Sequence, residues 1–349
     1  VFRLILHADN NCYVDSDWLT SIQFLNNGFT YVSEQDGYSH IYLYSPTGVM
    51  QRQVTQGNWD VTKFLGVDEN TKTFYYESAE ESPIRRSIYK IDAKGVKTKL
   101  STEEGMNKAV FSDNFAYFVN TYSNANTPAK ITVNETKTKK ELRVLQDNAA
   151  LKSKLKEYVF AKKEFMKVHT ASDYEFNAWI VKPADFDPSK KYPVMMTQYS
   201  GPNSQQVLDQ YGFDWEQYLA SNGIIVVCVD GRGTGARGEL ESRDQVEAAQ
   251  ALGKLPYIDK DRIAIWGWSF GGYNTLMALS TGNGTFKVGI AVAPPTDWKY
   301  YDSVYTERFM RTPQENFEGY AATSPLRRVK NLQGKLLLVH GTADDNVHF

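Results

Sequence analysis

Hydrophobic and polar positions follow two different patterns along the chain, and the change comes near residue 165. Before it, short runs rich in aromatic and β-branched residues recur three times in the same order, which predicts strands of an antiparallel sheet. The first strands are expected at residues 22–25, 64–67 and 109–112, the second at 30–33, 73–76 and 115–118, and the third at 40–44, 87–91 and 129–133. A fourth strand, led in the first unit by residues 53–55, would close each unit.

The period of about 42 to 47 residues is typical of a four-stranded propeller blade. Hairpin turns fall where blades need them, at Asp36-Gly37, Asn27-Gly28 and Lys94-Gly95. A β-sandwich with accidental spacing is the alternative, but strands that recur in order favour the propeller. Because propellers close with about four to eight blades, we expect residues 1–147 to be the C-terminal part of one. Its other blades would lie upstream of Val1 or come from partner segments.

A short helical linker is predicted at residues 148–164. Leu151, Leu155, Tyr158 and Val159 fall at i, i+4, i+7 and i+8, which is the apolar stripe of an amphipathic helix. The lysines on its other face, and the basic run at residues 137–140, are interpreted as solvated.

From residue 165 to residue 349 the pattern changes to buried strands separated by helices. The strands are expected at residues 179–181, 194–199, 224–230, 263–267, 288–293 and 335–340. They are apolar on both faces, as in a parallel sheet that is covered on both sides. One helix is predicted to start at a capping box, Ser242 to Gln245, to bury Val246, Ala249 and Leu252, and to stop at Gly253. This half therefore predicts a doubly wound, mostly parallel α/β fold.

Composition narrows the classes of protein. Apolar residues make up 42% and charged residues 23%, which excludes a disordered chain. Lys and Arg total 39 against 41 Asp and Glu, so a nucleic acid or an acidic membrane is not an expected partner. No apolar run has the length of a membrane span. With two cysteines, Cys12 and Cys228, no disulfide framework is expected, and no residue spacing suggests a metal or cofactor.

The chemistry of this half is carried by one motif. Residues 267–272 read Gly-Trp-Ser-Phe-Gly-Gly and lie between a predicted strand and a predicted helix, which is the context of a nucleophile elbow. The small flanking residues allow a tight turn that exposes the hydroxyl of Ser269. The backbone N–H of Phe270 then points at the substrate carbonyl and forms half of an oxyanion hole.

The acid of a catalytic triad should follow a later strand. Asp344 comes just after the strand at residues 335–340, with Asp345 as the fallback and an ordinary Asx turn as the alternative. No convincing base follows, since His348 is too close behind Asp344, and His340 is interpreted as structural. We therefore expect the catalytic histidine to lie outside the residues given.

Four stretches resemble the prolyl oligopeptidase family of serine peptidases: residues 230–235, 267–273, 298–308 and 340–349. The longer ones are similar to a bacterial branch of that family that releases dipeptides. The resemblance covers nearly the whole chain and implies a β-propeller joined to an α/β-hydrolase domain.

The resemblance also assigns roles to residues. It matches Ser269 to the nucleophile, Asp344 to the triad acid and Tyr199 to a second oxyanion-hole donor. It matches Asn346 to an amide that holds the substrate backbone. The walls of a pocket for the proline ring are matched to Trp298, Tyr301, Tyr305 and Val347.

Three departures from the family pattern stand out. Phe270 replaces a frequent Tyr, and the segment after Gly238 is about a dozen residues shorter than usual. The paired glutamates that bind the substrate's free amino terminus are not found, and the adjacent Glu80 and Glu81 are interpreted as solvated residues of another blade.

We therefore expect a serine exopeptidase that releases N-terminal dipeptides with a penultimate Pro or Ala. The rivals are a tripeptidyl peptidase, an oligopeptidase or an acyl-peptide hydrolase on the same scaffold, or a non-catalytic relative that binds through its propeller. The resemblance implies a homodimer and a periplasmic, cell-envelope or secreted location.

Overall fold

A computed structural model describes Leu4, residues 6–7, 16–232 and 239–349 of the chain. Its contacts form two compact units, Val1–Glu157 with Leu208–Gly212, and Tyr158–Val207 with Phe213–Phe349. The division after Glu157 falls inside the predicted linker. Cys12 and the short segment around Gly238 lie outside the described residues, so the predictions about them stay open.

The described part of the first unit contains three four-stranded antiparallel sheets, each with its strands in chain order. The strands are Gln23–Leu25 (β1), Gly28–Ser33 (β2), His40–Tyr44 (β3) and Met50–Gln53 (β4); Val61–Asp68 (β5), Thr73–Ser78 (β6), Ser87–Ile91 (β7) and Lys97–Lys99 (β8); Met106–Phe111 (β9), Tyr117–Asn124 (β10), Thr127–Glu135 (β11) and Glu141–Gln146 (β12). A 3-10 helix, Ser16–Ser21, precedes β1. The predicted recurrence is confirmed, and the largest shift is at β10, because Phe115 has a φ of 54° and belongs to the turn before it.

Packing explains why the second strands of the first two units are rich in apolar residues. All six residues of β2 and all six of β6 are buried, so both faces of these strands are covered. A buried carboxylate also ties the second sheet to the third, because Glu77 of β6 accepts the backbone N–H of Ala109 at 2.8 Å. Burial raises the pKa of Glu77.

The predicted amphipathic stripe of the linker is wrong. The helix spans only Ala149–Leu155 (α1), and none of its residues, all of them described, is buried. Its last turn tightens, since the N–H of Lys156 donates to Ser153 at 3.2 Å, and Tyr158 and Val159 follow as exposed residues. The basic run at residues 137–140 is exposed, as expected.

The second unit is built on a seven-stranded sheet, counted over the described residues, in the order β13-β14-β16-β15-β17-β18-β19. The strands are Lys163–His169 (β13), Glu175–Val181 (β14), Tyr192–Thr197 (β15), Ile225–Val229 (β16), Ile258–Trp268 (β17), Val288–Val292 (β18) and Lys335–Val339 (β19). The helices are Glu216–Ser221 (α2), Glu239–Leu252 (α3), Phe270–Thr281 (α4), Ser303–Met310 (α5), Phe317–Ala322 (α6) and Pro325–Arg328 (α7), with 3-10 helices at Trp298–Tyr300 and Val329–Asn331. The mostly parallel sheet is confirmed, with an antiparallel hairpin of β13 and β14 at one edge that the sequence did not predict.

The predicted capping box at Ser242 is wrong, because α3 already begins at Glu239. The carboxylate of Asp244 instead accepts the backbone N–H of Arg232 at 2.6 Å and its guanidinium at 2.6 Å. The predicted buried stripe on this helix is confirmed, and the helix ends before Gly253 as expected.

Coverage of both faces holds for the centre of the sheet and fails at its far edge. Every residue of β16 is buried. In β19 all five residues are exposed, and the apolar side chains retain 36% to 56% of their accessible surface. Among the described residues β19 pairs with β18 alone, and its apolar composition matches that of the buried central strands.

Candidate active site

Ser269 is the single residue between β17 and α4, and its backbone is strained. Its φ of 55° and ψ of −119° lie in a region that residues other than glycine rarely adopt. The turn is held by hydrogen bonds on both sides: the N–H of Ser269 donates to Val292 at 2.8 Å, and its carbonyl accepts the N–H of Tyr273 at 3.0 Å. The half-buried side chain therefore sits at the apex of a fixed strand-turn-helix.

The small residues around Ser269 are required by close backbone approach. A Cβ at Gly267 would overlap the carbonyl of Gly271. A Cβ at Gly271 would lie 2.5 Å from the carbonyl oxygen of Gln198, and one at Gly272 would lie 2.8 Å from that of Val292. The tight turn of a nucleophile elbow requires small residues beside the serine, and the close backbone approach that causes this requirement is present around Ser269.

Tyr199, the predicted second oxyanion donor, lies two residues beyond the end of β15 and beside Phe270, with ring centroids 6.1 Å apart. Ser200 follows it with a φ of 62°, and a Cβ at Gly201 would lie 2.5 Å from the Tyr199 ring. The segment after β15 therefore turns tightly around the tyrosine, next to the residue that carries the other predicted donor.

The predicted pocket aromatics form one cluster. Trp298 is buried, with Tyr301 at 5.9 Å and Tyr305 at 6.2 Å between ring centroids, and Phe270 lies 5.4 Å from Trp298. Burial raises the pKa of Tyr305, which keeps its hydroxyl protonated.

Sequence reasoning missed members of this cluster. Tyr273, Met277 and Tyr320 are buried in it. Tyr273 and Met277 are four apart on α4, a spacing that places two side chains on one helix face, so part of the signal was available. Nothing in the local sequence pointed to Tyr320, which comes from α6.

Asp344 lies in the turn after β19, where its carboxylate Oδ1 accepts the N–H of Val347 at 2.9 Å and that of Asn346 at 3.1 Å. These two bonds lower the pKa of Asp344. The Asx-turn alternative thus describes the geometry, and the role of triad acid stays a prediction, as does Asp345 as the fallback.

A side-chain bond links this turn to the aromatic cluster. Tyr301 donates its hydroxyl to Oδ1 of Asn346 at 2.9 Å, and Val347 is buried. The structure therefore brings two groups of predicted residues together. Tyr199, Phe270, Trp298, Tyr301 and Tyr305 share the cluster, and Asn346 is bonded to its rim.

No hydrogen bond of the described residues joins a histidine to Ser269. His340 is half-buried, its Nδ1 lies 3.1 Å from the carbonyl of Gly341, and its ring packs 5.9 Å from that of Phe349. His348 is exposed. The identity of the base stays unassigned.

Glu80 and Glu81 are engaged by lysines of β8. Lys97 binds Glu80, and Lys99 binds Glu81 at 2.6 Å. Glu81 is exposed, whereas the side chain of Glu80 retains only 22% of its surface, so the interpretation of both as solvated is wrong for Glu80.

Among the described residues, no group of three or more His, Cys, Asp or Glu side chains is arranged to hold a metal ion. None of the helices in that part of the chain has the length and hydrophobicity needed to cross a bilayer.

Two family profiles match the sequence. Residues 2–129 match the dipeptidyl peptidase IV (DPP IV) N-terminal region, and residues 211–349 match the prolyl oligopeptidase family. The chain is 37% identical over 342 residues to a probable dipeptidyl peptidase 4 of Aspergillus fumigatus, covering 91% of this chain and 44% of that protein. It is 37% identical over 359 residues to a dipeptidyl peptidase 4 of Trichophyton equinum, covering 95% and 46%.

Solved structures show the same similarity. The crystal structure of Porphyromonas gingivalis dipeptidyl peptidase 4 superposes with a TM-score of 0.97 at 60% identity, over 99% of this chain and 51% of that one. A putative dipeptidyl aminopeptidase IV from Bacteroides ovatus gives 0.83 at 29% identity, over 94% and 51%. The chain thus spans about half the length of the relatives it matches.

Proposed function

The chain belongs to the prolyl oligopeptidase family, and from that premise we propose that it carries part of the active site of a serine dipeptidyl peptidase similar to dipeptidyl peptidase 4. Its first unit is β-propeller structure and its second is an α/β-hydrolase domain. The observation that carries the proposal is the strained Ser269 turn, set against Tyr199 and the aromatic cluster in one unit.

In the proposed reaction the Oγ of Ser269 attacks the scissile carbonyl carbon while a histidine takes its proton. Negative charge that develops on the carbonyl oxygen is stabilised by the N–H of Phe270 and the hydroxyl of Tyr199. The C–N bond breaks, the leaving amine takes the proton from the histidine, and water then hydrolyses the acyl-enzyme. Asp344 orients the catalytic histidine. We assign the role of that histidine to none of the five histidines in this chain.

Substrate choice is proposed from the cluster. Trp298, Tyr301, Tyr305 and Val347 would enclose a compact apolar ring and exclude long charged side chains. Asn346 would hold the substrate backbone. A penultimate Pro or Ala fits such walls, and release of a dipeptide rests on the similarity to relatives that carry that name.

The remaining proposals concern the whole protein. The three sheets would be three blades of a propeller, and the complete protein would be a homodimer in the periplasm, the cell envelope or outside the cell. These proposals rest on the resemblance to the bacterial branch of the family. A tripeptidyl peptidase, an oligopeptidase or an acyl-peptide hydrolase on the same scaffold is the rival.

To test the proposed activity, the complete gene that encodes this chain is expressed and the protein is purified. A fluorophosphonate probe should label the protein and should fail to label its Ser269→Ala variant. Hydrolysis of a Gly-Pro chromogenic substrate should exceed that of Ala-Ala-Pro. A folded protein that does not label would overturn the enzyme, and a preference for Ala-Ala-Pro would favour the tripeptidyl peptidase.

A further inference from the structure

Two buried amide side chains meet directly behind the Ser269 turn. Gln198 is 4% exposed and Asn274 is fully buried. The Nδ2 of Asn274 donates to Oε1 of Gln198 at 2.9 Å. The Nε2 of Gln198 donates to the carbonyl oxygen of Gly271 at 2.8 Å and lies 3.3 Å from the hydroxyl of Thr275. We call these two residues the amide pair.

The amide pair lies close in sequence to both proposed oxyanion donors. Gln198 directly precedes Tyr199, and Gly271 directly follows Phe270. A bond from the Gln198 side chain to the Gly271 carbonyl therefore joins the two backbone segments that carry the two proposed oxyanion donors. The same segments are in close backbone contact, since a Cβ at Gly271 would lie 2.5 Å from the Gln198 carbonyl oxygen.

The amide pair stabilises the fold less than an apolar pair would, so stability alone does not explain it. The Oδ1 of Asn274 is buried and has no hydrogen-bond partner among the described residues. A buried acceptor left unsatisfied opposes folding, and an apolar pair of similar volume would avoid that penalty. Hydrogen bonds are directional, however, and they fix separation and orientation more closely than apolar packing does.

We propose that Gln198 and Asn274 are positioning residues of the oxyanion hole, setting the distance between the Tyr199 hydroxyl and the Phe270 N–H. This inference rests on the proposed function, because it takes those two groups as the donors. Neither amide touches the substrate; both act through the backbone segments that they join. An error of a fraction of an ångström between such donors lowers transition-state stabilisation more than ground-state binding.

The experiment is a double-mutant cycle in the complete protein. Gln198→Met keeps a similar volume and removes the donors. We expect it to lower kcat by about 10- to 100-fold while KM changes by less than about threefold. In a Tyr199→Phe background the same change should lower kcat by less than about threefold, because the hydroxyl that it positions is absent.

The control is a matched amide pair in the first unit. Asn120 donates its Nδ2 to Oδ1 of Asn107 at 3.0 Å, and both are buried. Asn120→Leu should lower the melting temperature and leave kcat unchanged. If Gln198→Met behaves in the same way, or if its loss of kcat is equal in both backgrounds, the amide pair is structural and the inference is wrong.

Two further measurements keep the result decisive. If Gln198→Met does not fold by circular dichroism, Asn274→Leu enters the same cycle, with a smaller loss expected because Gln198 keeps its bond to Gly271. If the wild type does not hydrolyse Gly-Pro substrates, dipeptide release is wrong. The cycle is then run on the rate of fluorophosphonate labelling, which needs the oxyanion hole and no dipeptide specificity.

Discussion

The turns that carry Ser269 and Asp344 are held in different ways. Ser269 lies between β17 and α4, whose residues 270–279 are all buried, and the flanking glycines leave no room for a methyl group. Asp344 follows β19, all of which is exposed, and a Cβ at Gly341 in the same turn would have no neighbour within 4 Å. Among the described residues, the Ser269 turn is packed by several elements, whereas the Asp344 turn is closed mainly by its own hydrogen bonds.

The two turns also differ in the backbone strain of the residue that they carry. The conformation of Ser269 is strained, and strain persists only where the surroundings over-determine it. Asp344 needs no strain, because its carboxylate closes its own turn through the N–H groups of Asn346 and Val347. A side-chain hydrogen bond from Tyr301 to Asn346 links that turn to the aromatic cluster.

The largest expected effect tests whether both turns serve one reaction. In the complete protein, Ser269→Ala should lower kcat/KM for a Gly-Pro substrate by at least about 10⁴-fold. Asp344→Asn should lower it by about 10⁴-fold, since an amide keeps the turn but misdirects the histidine. The neighbouring Asp345→Asn is the control and should change it by less than about threefold. A large loss at Asp345 and none at Asp344 would exchange their roles.

The next effect concerns the strands that support the turns. Ile265 in β17 is fully buried, so Ile265→Ala should lower the free energy of unfolding of this chain by about 2–4 kcal/mol. Leu337 in β19 is 54% exposed, and Leu337→Ala should lower it by less than about 1 kcal/mol. Urea denaturation of both variants measures the difference. Equal losses would mean that β19 is covered in solution.

A smaller effect isolates the turns themselves. Gly271→Ala places a methyl group against backbone and should lower the free energy of unfolding by about 1–3 kcal/mol. Gly341→Ala meets open space and should change it by less than about 0.5 kcal/mol. Thermal melts of the two variants give the comparison, and a destabilising Gly341→Ala would show that the second turn is packed after all.

Much of the fold could be predicted from the sequence because local hydrophobic patterns determine where most strands form. Ordered repeats located ten of the twelve described strands of the first unit, and the Val- and Ile-rich runs located most of the sheet in the second. Local patterns failed where burial depends on distant partners. The apolar residues of β19 do not reveal that it is exposed among the described residues, and Tyr158 and Val159 of the predicted stripe lie beyond the end of α1.

The candidate site divides in the same manner. Ser269 could be predicted because its chemistry imposes small neighbours within two residues on either side. The contacts of Gln198 and Tyr320 could not, since residues far apart in the chain meet there only after folding. Ser242 shows the converse, because a capping pattern is local while the place where a helix begins also depends on tertiary contacts.

The smallest effect contrasts two carboxylates of the second unit. Asp230 accepts the N–H of Val207 at 2.8 Å and that of Gln206 at 3.0 Å, yet burial raises its pKa, whereas hydrogen bonds lower that of Asp344. Between about pH 4, the ordinary value, and the raised pKa, the folded state holds more protons at Asp230 than the unfolded state. The stability of the wild type relative to Asp230→Asn should therefore fall as pH rises through that window.

At Asp344 the sign is opposite. Below about pH 4 and above the lowered pKa, the unfolded state holds more protons, so the stability relative to Asp344→Asn should rise with pH and be lost on acidification. Urea denaturation of the wild type and both variants between about pH 3 and pH 7 measures the two differences. Curves that slope in the same direction would mean that Asp230 is solvated, because burial is the main cause that raises its pKa against the two backbone N–H groups that lower it.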